Sequence, residues 1–541
     1  MVALLFPLTW ALYSVLIRIT TYLKRIKITP KIATGAVFLL LLTFPTVAVV
    51  YSSVEELTRP SEQPFICIIL VDTLRVDHCS CYGYERETTP YLDGLAGNGT
   101  IFENCISQAP WTKPSVATLF TGLPSITHKT VRIFDSIPGE SYTMAERLND
   151  AGYVTVANSS NFQVTPDFNF QQGFDFFITD QEHVFLSEYL GCIGAKTFDR
   201  AYEFYLNVKH RQTWKCLPMK EIARNQTEQV LLTVSLLNRR PTFIYIHYME
   251  PHVPYMPSGR FGGVFGPPVD DPRFFPDACN VEYTFLTDPE SRYDITESQK
   301  EELVRRYDCE IRQNDDAISP WVNIMDRKNR WDDSLLIFVA DHGEEFMDHG
   351  FLYHNRALYQ ESIHVPLIIW DSRVSKQPSR VSPNVMVADI MPTVLDWAAT
   401  AVPSENQDFY GISLLPSLNG QDVPEGRRII AEIDWDVYAT RESKTPERKP
   451  DGYIVSESII IDNYKLIRDH NRNKVLIYDL ASDPNEVEPL SGSNGKAESL
   501  SSLEDTLNET LSYWERKALT SEAVKVDEET WNKMRDLGYV K

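Results

Sequence analysis

Positive charge is scarce in this chain. Its 541 residues carry 52 Lys and Arg against 75 Asp and Glu, a formal net charge of −23 at pH 7. Acid is in turn missing from residues 1–54, which hold five basic side chains, Arg18, Lys24, Arg25, Lys27 and Lys31. The rest of the chain therefore carries 47 basic against 75 acidic side chains, or −28. A body so acidic repels phosphate backbones, and nucleic acid is excluded as a partner. No internal repeat is visible. Cysteine is sparse, at eight residues. Cys79 and Cys81 are too close to pair, and Cys67 lies in an apolar run as a buried thiol. Cys192 with Cys216, and Cys279 with Cys309, are candidate bridges whose connectivity the sequence leaves open. What is plentiful is core: 43% of residues are hydrophobic and 23% charged, as in an ordinary globular protein.

Residues 1–54 read as a membrane segment. Met1–Ile17 is apolar, and Ile32–Tyr51 is a second uncharged run, long enough to span a bilayer. The basic residues lie between the two or at their inner edges, which places that linker in the cytoplasm and the body outside it. The first run lacks a charged leader, against a cleaved signal peptide. One span or two remain open, and both place the body at the cell membrane on its extracytoplasmic side. Residues 55–64 form a polar, Pro-bearing linker.

Beyond the linker, apolar runs alternate with helical patterns, the mark of an α/β sheet flanked by helices. Strands are expected at Phe65–Val71, Val154–Ala157, Thr242–Ile246, Leu335–Ala340 and Val365–Trp370. Helices are expected at Ser141–Ala151, Met219–Leu237 and Ser298–Met325. The core spans 65–420, with insertions near 179–240 and 257–295. Residues 421–541 form a smaller C-terminal subdomain with an antiparallel sheet at Ile429–Ile433, Tyr453–Ile461, Lys465–Arg468 and Val475–Leu480.

Several strands end on chemistry. Asp72 follows the first, Asn158 the second, His247 the third (with His252 soon after), and Asp341–His342 the fourth. In open α/β sheets ligands bind beyond the carboxyl ends of strands. So many carboxylates and imidazoles at those ends are better explained by a site than by strand capping. In APWTKPSVATLFTG, Ala109–Gly122, Thr112 sits just ahead of a short helix opened by Pro114 and closed by Gly122. The bland reading is an N-cap threonine. The sharper one is a hydroxyl made more acidic by the helix dipole.

From Phe65 onward these residues resemble the sulfatase branch of the alkaline phosphatase superfamily. The resemblance rests on VDTLRVDHCSCYGYERETTPYLDGLAGNGTIFENCISQAPWTKPSVATLFTG, FIYIHYMEPHVPY, ADHGEEFMDHGFLYHNRALYQESIHVPLIIW, ADIMPTVLDWA and YDLASDPNEVEPL. It implies an alkaline-phosphatase-like mixed or parallel sheet and one divalent cation, manganese, zinc or calcium, held by Asp72, Thr112, Asp341 and His342. It implies Thr112 as nucleophile, with His252 and His354 at the anionic group or leaving oxygen. Lys113, His247 and Asn158 are candidate substrate contacts. Lys113 has solvation as its alternative, and His247 a structural role.

The departures shift the expected chemistry. The family's C-x-P-S-R, whose Cys or Ser becomes formylglycine, stands here as Thr112-Lys113-Pro114-Ser115-Val116. A Lys and His of many relatives are replaced by Ser159 and Asn161, and a second acidic ligand by Thr73. These changes remove positive charge from a sulfate pocket, and threonine nucleophiles occur in relatives acting on phosphorus. An Asp-His ending also fits a transition metal better than calcium. The expectation is a membrane-anchored hydrolase or phosphotransferase acting on an anionic ester, a glycan, lipid head group or cell-envelope polymer. Phosphoesters are preferred over sulfuric esters. A binding protein without turnover is the rival class, against which the joint presence of Asp72, Thr112, Asp341 and His342 argues.

Overall fold

Seven apolar residues in a row, Phe65–Val71 (β1), leave no face for water, and all seven are buried. Such a strand belongs in the middle of a sheet covered on both sides. The computed structural model describes residues 63–179, 222–236, 240–253, 255–267, 295–325, 333–374, 379–400, 409–436, 453–490 and 497–524. The apolar runs of residues 1–54, most of the two insertions, and Cys192, Cys216 and Cys279 lie outside them. Among the described residues no helix is long and apolar enough to cross a membrane.

The other strands follow in chain order. They are β2 (Thr100–Ile106), β3 (Val154–Ser159), β4 (Phe176–Thr179), β5 (Thr242–Tyr248) and β6 (Ser334–Ala340). Then come the short β7 (Glu345–Phe346) and β8 (Leu352–Tyr353), which pair with each other, β9 (His364–Asp371), β10 (Ser379–Val381) and β11 (Val385–Met386). The main sheet has the order β10-β2-β9-β6-β1-β5-β3-β4, with β11 also on β2. It is parallel throughout except where β9 runs against β2 and β6. β1, β5 and β6 are buried along their whole length. The mixed sheet expected from the sequence is thus present, and the carboxyl ends of β1, β3, β5 and β6 face one edge.

Two strands run past their expected ends. Asn158 pairs with Ile246, and Ser159 with His247, so β3 and β5 continue to Ser159 and Tyr248. Asn158 and His247 therefore stand inside strands, not beyond them. The helix expected at Ser141–Ala151 begins later, at Met144, because Thr143 and Glu146 close a capping box there. The long helix Glu297–Met325 forms as expected and braces the edge. Its Tyr307 donates to the Thr73 carbonyl at 2.6 Å and accepts the Arg75 N–H at 2.9 Å.

The second sheet is an antiparallel meander of β12 (Ile429–Asp436), β13 (Tyr453–Ile461), β14 (Tyr464–Asp469) and β15 (Lys474–Asp479). Alternation divides its side chains. Ile429, Ala431 and Ile433 join the main core. Ile430 and its neighbours Ile459, Leu466 and Ile477 pack with Leu507 and Leu511 of the helix Ala497–Glu515. Among the described residues Cys67, Cys79, Cys81, Cys105 and Cys309 are free, and Cys279, the candidate partner of Cys309, lies outside them.

The turn after β6 needs a glycine. Gly343 donates its N–H to the Ser362 carbonyl at 2.9 Å, and a Cβ there would meet the Glu361 carbonyl oxygen at 1.9 Å. Gly343→Ala should lower unfolding stability by about 3 kcal/mol, the upper part of the range for overpacking, read as the midpoint of a denaturant melt.

Candidate metal centre and nucleophile

Strand register builds the centre. Val71 stands beside Ala340, so the next residues, Asp72 and Asp341, leave the sheet side by side. The turn that begins at Thr73 is held in left-handed backbone, φ 56°. For a β-branched residue that conformation is unusual and strained. It aims the Thr73 N–H at Asp341 Oδ1, 3.2 Å away. Thr112 arrives from β2. Trp111 is the extended N-cap, and Thr112 is the first residue of the helix Thr112–Thr121. This corrects the N-cap reading: Thr112 lies inside the helix and its hydroxyl makes no cap bond. Ser115, on the same helix, donates to the Asp341 carbonyl at 2.7 Å and so locks the helix to the β6 edge.

Asp72, Asp341 and His342 are fully buried, and their donor atoms lie within 4.8 Å of one another. His342 Nε2 is 3.5 Å from Asp72 Oδ1, 3.5 Å from Asp341 Oδ2 and 3.3 Å from Thr112 Oγ1. The ring donates from Nδ1 to the Gly343 carbonyl at 2.8 Å, and burial holds its pKa well below the usual histidine value. A neutral ring with Nδ1–H tied presents a bare Nε2. Each carboxylate has one oxygen filled. Asp72 Oδ2 accepts from Asn161 Nδ2 at 2.7 Å and His247 Nε2 at 3.2 Å. Asp341 Oδ1 accepts the N–H groups of Thr73 and His342.

Asp72 Oδ1 and Asp341 Oδ2 have no hydrogen-bond partner although buried. Burial and the neighbouring Asp72 push Asp341 well above the ordinary carboxylate range. Burial alone would raise Asp72 too, but the His247 hydrogen bond and the surrounding imidazoles outweigh it and hold Asp72 low. Two bare carboxylate oxygens, a bare imidazole nitrogen and a hydroxyl converging in one buried place fit a divalent cation.

Two further imidazoles face this cluster. The His354 ring lies 4.7 Å from that of His342 and 5.0 Å from that of His252. His252 donates from Nδ1 to the Val253 carbonyl at 2.6 Å. His354 Nδ1 meets Glu344 Oε1 at 2.9 Å, and Tyr255 donates to Glu344 Oε2 at 2.7 Å. Burial pushes His354 down to about 4, and Glu344 up to about 8.

The three candidate substrate contacts are placed elsewhere. Lys113 is buried, not solvated. Its ammonium is buried against the carbonyls of Ile133 (2.5 Å) and Asp135 (3.1 Å) and lies 3.2 Å from the centre of the Phe168 ring. Asn158 is turned to the helix Ile222–Leu236 by the alternation of β3. Its amide donates to Gln229 and its carbonyl accepts from Gln226. His247 stands behind Asp72. Asn161, Glu344, Tyr255 and Tyr245 are the residues that the sequence reading did not assign. Tyr245 could have been found, since it lies two positions before His247 and so on the same face of β5. Glu344 follows His342 by two residues, but nothing local says that it turns to His354.

A profile of the sulfatase family matches residues 64–400, and one for the C-terminal part of N-sulphoglucosamine sulphohydrolase matches residues 347–512. Among curated relatives is the multifunctional alkaline phosphatase superfamily protein PehA of Trinickia caryophylli. It is 24% identical over 487 residues, 79% of this chain and 91% of the relative. The N-acetylglucosamine-6-O-sulfatase of Bacteroides thetaiotaomicron is 22% identical over 532 residues, 84% of this chain and 87% of the relative. In fold the chain is similar to the phosphonate monoester hydrolase of Agrobacterium radiobacter, with a TM-score of 0.61 at 19% identity, over 85% of this chain and 97% of the other.

Lys113→Met keeps the volume and removes the ammonium. Turnover and KM should stay within about threefold, while stability falls by about 1–3 kcal/mol for the carbonyls left unsatisfied. Steady-state kinetics beside a thermal melt check both.

Proposed function

Because the chain belongs to the sulfatase family of the alkaline phosphatase superfamily, a family of metal-dependent ester hydrolases, we propose that it cleaves anionic esters with unmodified Thr112 as nucleophile, phosphoesters ahead of sulfuric esters. The observation that carries this reading is the position of Thr112 Oγ1. It sits on the first residue of a helix, 3.3 Å from the bare nitrogen of His342.

A divalent cation held by Asp72, Asp341, His342 and Thr112 supplies Lewis-acid charge at the reacting oxygen. The chain's own groups do the rest. Free N–H groups at the start of the helix Thr112–Thr121 favour negative charge at the hydroxyl and at the transferred group. Attack by Thr112 Oγ1 forms one O–P bond as the bond to the leaving oxygen breaks, and the proton that the hydroxyl loses balances the one that the leaving oxygen gains. Burial lowers the pKa of His252 and of His354, so each ring stands neutral and able to take up a proton. An anionic ester between them favours that charged form, which then donates to the leaving oxygen. Water or another alcohol releases the group from Thr112, giving a hydrolase or a transferase.

Sulfuric esters are the second reading, favoured by relatives named for sulfate esters of amino sugars and other glycans. Against it stand Thr112 in place of the formylglycine precursor, Val116 in place of arginine, and Ser159 and Asn161 where many sulfatases place cations. The charge pattern of residues 1–54 supports a membrane anchor with the catalytic body outside the cytoplasm.

Thr112→Ala should lower turnover by several orders of magnitude, leaving on the order of 10³–10⁴ over water from charge and positioning. Thr112→Ser, which keeps the oxygen, should retain measurable activity. Paired p-nitrophenyl sulfate, p-nitrophenyl phosphate and bis-p-nitrophenyl phosphate assays supply the readout. Near-normal turnover in Thr112→Ala with its fold intact overturns the nucleophile. A preference for the sulfate ester overturns the phosphoester choice.

A further inference from the structure

His247 differs from the other imidazoles of the centre in what its Nδ1 meets, a hydroxyl in place of a carbonyl or carboxylate oxygen. Asp72 as a carboxylate only accepts, so the 3.2 Å contact requires the proton on His247 Nε2. The ring's other nitrogen, Nδ1, lies 2.9 Å from the Tyr245 hydroxyl. Both side chains are fully buried, and a buried phenol keeps its proton, which Nδ1 is placed to accept. Donation runs one way: Tyr245 O–H to His247 Nδ1, then His247 Nε2–H to Asp72 Oδ2. Asn161 gives the same oxygen a second donor at 2.7 Å. Its amide cannot be the other way round, because its carbonyl accepts the Gln163 N–H at 2.8 Å. Nothing donates to Asp72 Oδ1.

We infer that Tyr245, His247 and Asn161 are positioning residues that hold Asp72 as a one-oxygen ligand and so set the centre's preference for a small transition-metal dication over calcium. The inference rests on the metal-centre reading above and deepens it. With Oδ2 occupied by two N–H donors, chelation through both oxygens is closed. Asp341 is restricted in the same way by the N–H groups of Thr73 and His342. The protein then offers one oxygen from each carboxylate, one imidazole nitrogen and the Thr112 hydroxyl. Calcium takes six to eight oxygen ligands, commonly with bidentate carboxylates. Zinc and manganese accept a smaller mixed set that includes imidazole. A histidine that merely filled space behind the sheet would need neither the hydroxyl at Nδ1 nor the acceptor at Nε2.

The test is calorimetric titration of the metal-stripped full-length protein with zinc, manganese or calcium chloride, with melts confirming the fold. The wild type should bind zinc or manganese at least about tenfold more tightly than calcium. His247→Leu with Asn161→Ala releases Oδ2. Zinc or manganese affinity should then fall about 10–100-fold, while calcium affinity holds or rises, narrowing the ratio. A purely structural loss would weaken every ion alike. Tyr245→Phe should weaken zinc binding about tenfold. It should add nothing in a His247→Gln background, because the Gln amide donates whatever lies behind it. If the wild type binds no divalent cation, the centre itself is misread. If it binds zinc or manganese but the double variant keeps the wild-type ratio, or Tyr245→Phe weakens binding equally in both backgrounds, the relay is overturned and the centre stands.

Discussion

Two buried carboxylates side by side are the constraint on which the rest of the structure depends. Asp72 and Asp341 follow paired positions on neighbouring buried strands, and each keeps one oxygen without a partner. Left alone, that arrangement is costly, since burial and mutual repulsion both act against charge. The surroundings limit the cost without removing it. N–H donors fill the far oxygen of each carboxylate, Ser115 fastens the helix Thr112–Thr121 to the Asp341 carbonyl, and Tyr307 braces the strained Thr73 turn. What remains is a negative, buried point with an imidazole and a hydroxyl facing it. A divalent cation completes that set.

The same arrangement separates two kinds of histidine. His342, His252 and His354 each have Nδ1 engaged by a carbonyl or carboxylate oxygen. His247 has both nitrogens engaged and acts on Asp72 alone. Sequence spacing cannot tell these apart, because the tautomer is set by partners distant in the chain. The hydroxyl at residue 112 and the missing cations at Val116, Ser159 and Asn161 are properties of the residue types themselves. They point from sulfate towards phosphorus chemistry within a family named for sulfate.

Much of the fold was legible because it is written in continuous apolar runs. FICIILV, TFIYI and LLIFVA read as buried strands, and the chemistry at their ends follows from the sheet's polarity. Strand ends were less legible. Asn158 looked like a residue beyond β3, but pairing carried the strand past it and turned it to a helix. Lys113, beside Thr112, looked like a substrate contact or a solvated side chain. Its burial depends on the Ile133–Asp135 turn and Phe168, which no local pattern brings near. Periodicity reports which face a residue shares, and long-range packing decides what that face meets.

The central claim is that Thr112 becomes covalently bonded to the transferred group. Intact-mass analysis of the protein after rapid quenching from a generic phosphodiester, followed by peptide mapping, tests it most directly. A phosphoryl-ester adduct on the peptide holding Thr112, absent from Thr112→Ala, is the result expected. Product formation at an undiminished rate with no adduct at any quench time, in wild type and Thr112→Ala alike, would contradict it.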